Sequence, residues 1–309
     1  MLAPLRDYLR PKDPASSPLL HTTKDQYFSR LSVDISPGQP GYQEARWIRS
    51  EDVNVEYLLD VFTSIDADAV NTWDACAYFM RHLRWHKCRL VMLGPKVEGL
   101  PDDHPSKARC LFQLSRIFGS VGNNVEYKRL LVYTLGLWRE RGDDFQVAET
   151  LHSLSYANQQ LGLYREAIQH TREALGVLER LDDRLGQAHC WKRLAWSLHH
   201  DKQLDAAEEA ALRAIDLSDE TNQLVVSQCY RLLGGICLSR GETGKAINHY
   251  EKALEIASSF GWHYELFSNN QSLARLFFSK ERFNDAHVCV ERAKLHATND
   301  PYKLGLAVK

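Results

Sequence analysis

The chain has 309 residues and 44% of them are hydrophobic, so it can bury a large core. Its formal net charge of -2 at pH 7 argues against a general nucleic-acid or membrane surface. No apolar run approaches the roughly 18 residues of a membrane span, and the opening MLAPLRDYLRPKD lacks the apolar centre of a signal peptide. We therefore expect a cytoplasmic protein.

The first 66 residues differ in character from the rest. They hold six of the ten prolines, which are Pro4, Pro11, Pro14, Pro18, Pro37 and Pro40. Because proline interrupts helices, only short helices are expected between them, near residues 26–31 and 42–49. A stronger candidate covers residues 53–64, where apolar residues recur at helical spacing. We predict that residues 1–66 form a Pro-rich N-terminal helical cap or joint.

Residues 67–106 fit a degenerate copy of the repeat that follows. Trp73, Ala77 and Met80 share one helical face, and Leu90 and Leu93 indicate a second helix. Three prolines are expected to break the chain before the regular array begins near residue 107; they are Pro95, Pro101 and Pro105.

The same segment contains His82, His86 and Cys88, and residues four apart share a helix face. Four basic residues surround them and no carboxylate is nearby, which opposes a divalent cation. We expect a structural pair and no metal site.

Residues 107–309 contain five copies of a repeat of about 40 residues. A leucine of the first helix recurs in steps of 40 with a single step of 39, at Leu114, Leu154, Leu194, Leu233 and Leu273. Small residues mark the second helix, at Ala167, Ala207, Ala246 and Ala286. Another column holds Cys110, Cys190 and Cys229, which predicts reduced thiols in a packing slot.

These columns resemble the tetratricopeptide repeat, whose pattern is Trp, Leu-Gly and Tyr on helix one, and Ala then an aromatic on helix two. The best copy reads Tyr230, Leu233-Gly234, Cys237, Ala246 and Tyr250. The resemblance implies an all-α fold, a right-handed α–α superhelix with a short helical N-terminal segment. The period departs from the usual 34 or so, and the longer segments between copies resemble a variant found in signal-transduction NTPases.

Segments of the N-terminal sequence, such as EARWIRSEDVNVEYLLDVF, resemble those of fungal multidomain proteins in which such repeats follow a NACHT or NB-ARC NTPase module. This implies the sensor arm of a STAND-type signalling NTPase. The NTPase itself is not in the chain. The nearest phosphate-loop candidate, Gly241 to Ala246, has the wrong glycine spacing, lacks the hydroxyl residue and falls in a turn between helices. We expect no cofactor.

The side of each first helix that is not needed for packing carries aromatic and cationic residues. By analogy with the family, these columns line the concave groove of the superhelix. The candidate groove residues are Arg109, Phe112, Arg116, His152, Tyr156, His189, Lys192, Trp196, His199, Arg231 and Arg275. In the groove columns five arginines or lysines face one glutamate, so we expect a protein or peptide partner with acidic and apolar side chains.

Several alternatives remain open. The columns could be merely solvated helix faces. A free-standing adaptor or co-chaperone-like protein is the second functional reading, although the asparagines of a carboxylate clamp are not in these columns. A nucleic-acid-binding repeat would want a larger basic excess, and no catalytic motif is found, so we expect no enzyme. The next copy would start near Ala307 but the sequence stops at Lys309, so the last repeat has no polar cap. We expect either that the sequence is a fragment or that this end of the array pairs with another chain, as in self-association.

Overall fold

A computed structural model describes residues 18–31, 58–59, 61–64, 70–83 and 93–298 of the chain. These residues form α-helices and one short 3-10 turn, and no strand occurs among them. The all-α fold class is confirmed. No helix in this part of the chain combines the length and the apolar character that a bilayer crossing requires. The chain divides into two compact units, Met1–Asp143 and Asp144–Lys309, which are described separately.

The described helices of unit one are α1 (Pro18–Leu31), α2 (Val70–Leu83), α3 (Leu93–Gly99), α4 (Lys107–Ser120) and α5 (Asn124–Arg141). The short segments 58–59 and 61–64 are also helical. Helix α1 begins at Pro18, because the fixed φ of proline suits a first helical position and its missing N–H is not needed there. Phe62 and Trp73 are buried in this unit. The helix expected at 42–49 and the residues Leu90, His86 and Cys88 lie outside the described residues.

The expectation that Pro95 breaks the chain is wrong. Pro95 is the third residue of α3, where the backbone N–H would have no acceptor within the helix in any case. Pro101 and Pro105 do lie in the non-helical stretch between α3 and α4.

Within residues 144–298, the described part of unit two, the α-helices form four pairs. They are α6 (Asp144–Gln160) with α7 (Tyr164–Arg180), α8 (Arg184–His200) with α9 (Leu204–Asp216), α10 (Gln223–Ser239) with α11 (Thr243–Ser259), and α12 (His263–Ser279) with α13 (Phe283–Thr298). With α4 and α5 of unit one, the described residues contain the five clear pairs that the 40-residue step predicts.

The repeat columns form the core. Leu154, Leu194 and Leu233 are at most 3% exposed, and Ala207 and Ala246 are fully buried. Alanine in these columns lets the paired helices approach closely. Glycine has the same role at position 234, where an added Cβ would lie 2.8 Å from the ring of Tyr250. The prediction of buried leucines and small helix contacts is confirmed.

The first helices of successive repeats in unit two contact one another. Helix α8 packs against α6 and α10, and α10 packs against α12, whereas no contact of similar extent joins successive second helices among the described residues. Side chains on the free side of α6, α8, α10 and α12 are therefore brought close to one another.

Candidate functional site

We use the name inner face for the side of the first helices in unit two that carries the predicted groove residues and is not needed for packing within a helix pair. Its predicted members are His152, Tyr156, His189, Lys192, Trp196, His199, Arg231 and Arg275. They lie on four helices, α6, α8, α10 and α12, that contact one another in sequence. The predicted residues of unit two therefore lie on helices that are neighbours in the fold.

The predicted residues of unit one behave differently. Arg109 donates from Nη1 to Asp74 Oδ1 at 2.8 Å, so its charge is paired. Phe112 is only 4% exposed and lies in the core, and the expectation that it offers surface to a partner is wrong. Arg116 places its guanidinium 5.7 Å from the centre of the Phe112 ring.

Arg193 joins two first helices on the inner face. Its Nε donates to His152 Nε2 and its Nη1 donates to Gln159 Oε1, both at 2.9 Å. Its guanidinium also lies 5.1 Å from the centre of the Tyr156 ring, within the range of a cation–π contact. Tyr156 remains 40% exposed. One arginine of α8 thus fixes three side chains of α6.

A second polar network crosses α8, α10 and α12. Lys192 Nζ donates to Gln228 Oε1 at 2.5 Å, and Gln228 Nε2 donates to Glu265 Oε1 at 2.7 Å. Arg231 Nε lies 3.6 Å from Glu265 Oε2. The Glu265 side chain is only 3% exposed and that of Arg231 is 34% exposed. A buried carboxylate therefore compensates cations that the sequence columns show without a partner.

Burial also reduces the positive charge of this face. It lowers the pKa of Lys192 to about 8, with further lowering by the nearby charge of Arg193. Burial followed by the charges of Lys192 and Arg193 lowers the pKa of His189 to about 4, so this imidazole is neutral at physiological pH. Lys192 thus stays mostly protonated at pH 7, while His189 adds no charge to this face.

An aromatic cluster occupies the end of α8. The ring of His200 lies 3.9 Å from that of Trp196 and stacks on Tyr164 of α7 at 5.2 Å, while Tyr164 meets Trp196 edge-on at 5.8 Å. His199 turns toward α10, where its Nε2 lies 2.9 Å from Ser239 Oγ. The two histidines reach different neighbouring helices. Burial lowers the pKa of both, which suits packing between rings.

The remaining residues of the face are open to solvent. Arg275 of α12 is exposed. Phe278 is 67% exposed and meets Phe283 of α13 edge-on at 5.6 Å.

Other predicted or rejected sites fit structural roles. Lys245 lies in the first turn of α11, after the connection from α10, and pairs with Glu242 at 2.9 Å. Cys110, Cys190 and Cys229 are buried, and burial raises the pKa of Cys190 and of Cys229 to about 12. No group of three or more His, Cys, Asp or Glu side chains is placed to hold a metal ion in the described part of the chain.

Residues 198–259 match the tetratricopeptide repeat family. The match runs from the end of α8 to the end of α11, and it includes the best tetratricopeptide copy in the sequence. No curated protein sequence matches the chain.

Solved structures extend the likeness to the whole fold. The apo form of RapI is 13% identical, with a TM-score of 0.61, over 92% of this chain and 77% of that chain. A Rap protein complexed with competence and sporulation factor is 10% identical, with a TM-score of 0.64, over 91% of this chain and 76% of that chain.

A third structure is a STAND protein with a tetratricopeptide repeat sensor from Pyrococcus horikoshii. It is 14% identical with a TM-score of 0.59, and the match covers 95% of this chain but only 42% of that chain. These likenesses support an all-α repeat superhelix.

Proposed function

We propose that the chain is a scaffold that binds a peptide or protein segment on the inner face of unit two. The observation that carries this proposal is the aromatic cluster of Tyr164, Trp196 and His200 on α7 and α8. The neighbouring helix α6 adds the 40% exposed Tyr156. Tryptophan and tyrosine are the side chains that most often anchor interfaces. Solenoids generally present extended surfaces for such segments.

The proposed partner carries acidic as well as apolar side chains. Arg275 is exposed and Arg231 is partly exposed on the same face. Lys192 and Arg193 add positive charge, and the compensating Glu265 is buried. Acidic groups of a partner would approach this positive edge, whereas its apolar groups would cover Tyr156 and Trp196. Charge would mainly accelerate encounter, and burial of the aromatic rings would slow release.

The favoured biological role is the ligand-sensing arm of a STAND-type signalling NTPase. Two likenesses support it. The N-terminal sequence resembles that of fungal proteins with a NACHT or NB-ARC module, and the fold is similar to that of a STAND protein with a tetratricopeptide repeat sensor. A free-standing adaptor is the second candidate. The likeness to Rap proteins favours it, because there the match covers about three quarters of those chains.

The test begins with selection of a binding peptide from a random peptide library displayed on phage, with the whole chain as bait. Kd and dissociation rates are then measured for the selected peptide. We expect Trp196→Ala to weaken binding at least about tenfold through faster release, consistent with a hot-spot loss of roughly 2 kcal/mol or more. The charge variant Lys192→Glu with Arg231→Glu should weaken binding more at low salt than at high salt.

Leu212→Ala is the matched control, because Leu212 is an exposed apolar residue on the second helix α9. It should leave Kd unchanged. The proposal fails if Trp196→Ala binds as tightly as the parent while a second-helix substitution such as Glu251→Ala abolishes binding.

A further inference from the structure

A row of exposed apolar side chains runs along the start of the first helices in unit two. Phe145, Leu185, Leu224 and Tyr264 are each the second residue of α6, α8, α10 and α12. Their exposed fractions are 51%, 55%, 39% and 56%. Single exposed apolar residues are ordinary on a protein surface. Here the same register recurs in four successive first helices, and a repeated arrangement of exposed apolar side chains is typical of an interaction surface.

The connections before α8 and α12 add to this row. Leu181 is 41% exposed and Phe260 is 51% exposed, and the Phe260 ring stacks on Trp262 at 4.6 Å. We call the set the rim. It consists of Phe145, Leu181, Leu185, Leu224, Phe260 and Tyr264.

The rim is separate from the aromatic cluster of the inner face. Leu185 precedes Trp196 by eleven residues on one helix, which is about 16 Å along the helix axis. A helix about 10 to 12 Å wide could therefore cover Leu185 without covering Trp196.

The rim has acidic surroundings. Residues 179–185 and 216–224, which lead into α8 and α10, contain six carboxylates and two arginines. The carboxylates are Glu179, Asp182, Asp183, Asp216, Asp219 and Glu220. Of the two arginines, Arg180 is paired with Asp144 at 3.2 Å. Hydrogen bonds from Thr221 lower the pKa of Asp219, which keeps this carboxylate charged. The middle of the apolar row, at Leu185 and Leu224, is thus flanked by negative charge.

We propose that the rim docks a basic amphipathic α-helix of a partner protein. Adjacent packed helices are separated by about 8 to 10 Å, and seven residues of a helix rise about 10.5 Å. A helix lying across α6 to α12 would thus place one apolar residue over each rim position at every seventh residue, and its lysines and arginines would face the carboxylates. An extended strand fits less well, because three residues span about 10 Å but point to alternate sides.

The probe is a helical peptide of about 21 residues, which allows about two turns for each of the three steps between the four repeats. It is built from leucine and lysine, with leucine on one face. A peptide with glutamate in place of lysine is its counterpart. Binding to the whole chain is measured by fluorescence anisotropy at low and at moderate salt. We expect the leucine–lysine peptide to bind and the leucine–glutamate peptide to bind at least about tenfold more weakly, because the flanking charge is negative.

Variants then locate the site. The double variant Leu185→Ser with Leu224→Ser should weaken the leucine–lysine peptide at least about tenfold. Leu212→Ser is the matched control, since Leu212 is 47% exposed on α9, away from the rim, and it should bind like the parent. Asp216→Asn with Glu220→Gln should weaken binding a few-fold, and more strongly at low salt.

Trp196→Ala separates this proposal from the inner-face function. It should bind the leucine–lysine peptide like the parent, even if no inner-face ligand exists. The proposal is overturned if the leucine–lysine peptide does not bind, if the rim and Leu212 variants lose equal affinity, or if the leucine–glutamate peptide is preferred. Sedimentation that shows self-association of the parent, abolished by the rim double variant, would identify a second copy as the occupant and would also overturn it.

Discussion

Replacement of Arg193 by alanine tests whether the inner face is held together by side chains from neighbouring repeats. The substitution removes hydrogen bonds to His152 and Gln159 and the cation–π contact with Tyr156. Each hydrogen bond contributes about 1 kcal/mol net, and an exposed cation–π contact contributes about 0.5 to 1 kcal/mol. Gln159 is only 7% exposed, so its orphaned oxygen adds a further penalty of about 1 kcal/mol. We expect a total loss of roughly 3 to 4 kcal/mol.

The loss is measured by denaturant unfolding of the whole chain and by amide hydrogen exchange in α6 and α8, which detects local opening even if the two units unfold separately. Arg193→Lys should recover little, because an ammonium group cannot bridge both acceptors as a guanidinium does. The control is Arg213→Ala on α9, an exposed arginine, which should change stability by no more than about 0.5 kcal/mol. If Arg193→Ala is no more destabilising than this control, the cross-repeat role assigned to Arg193 is wrong.

Two further predictions concern packing and pH. Gly234→Ala should destabilise the chain by about 1 to 3 kcal/mol through overpacking, because its Cβ would lie 2.8 Å from the Tyr250 ring; thermal unfolding checks this, and a smaller residue at position 250 should remove the clash. Acidification below about pH 6.5 toward pH 4 should destabilise the parent, because the unfolded state then protonates His189 whereas the folded state, with a pKa of about 4, does not. The difference approaches about 3 kcal/mol at most, and the stability curves of the parent and of His189→Gln should diverge over this range; parallel curves would contradict the reasoning.

The repeat fold could be predicted from the sequence because its core is periodic. Leu194 and Ala207 occupy columns in which every copy must satisfy the same close helix contact, so packing leaves a regular trace in the chain. Pro95 shows where such reasoning fails. The effect of a proline depends on its distance from the start of the helix, and helix boundaries are the least certain part of any sequence-based assignment.

The positions of the surface residues of the site could be predicted from the sequence, but their hydrogen-bond and ion-pair partners could not. Arg193 belongs to no packing column, and its acceptors lie 34 and 41 residues earlier, on the helix of another repeat. Glu265, the carboxylate that pairs with Arg231, lies one turn before the columns that define the groove, so it belongs to none of them. The rim residues of the first helices also lie about one turn before the groove columns. A comparison that extended each column to the first turn of the helix would have shown the apolar positions, though not their exposure.

The pairing of charges on the inner face determines where binding free energy can come from. An anionic group that approaches Lys192 has to compete with Gln228 for the ammonium, and one that approaches Arg231 has to compete with Glu265. A new bond to Lys192 therefore replaces an existing hydrogen bond, whereas Arg231 Nε makes only a charge contact with Glu265 Oε2 at 3.6 Å. The net contribution of either exchange is small. Contact with Trp196 or Leu185 displaces only water, and each buried apolar side chain contributes about 1.5 to 3 kcal/mol if it is fully covered. The affinity for a partner should therefore depend mainly on contacts with the aromatic cluster and with the rim, which lie on either side of the polar network. The network itself should fix the distance between these two apolar surfaces.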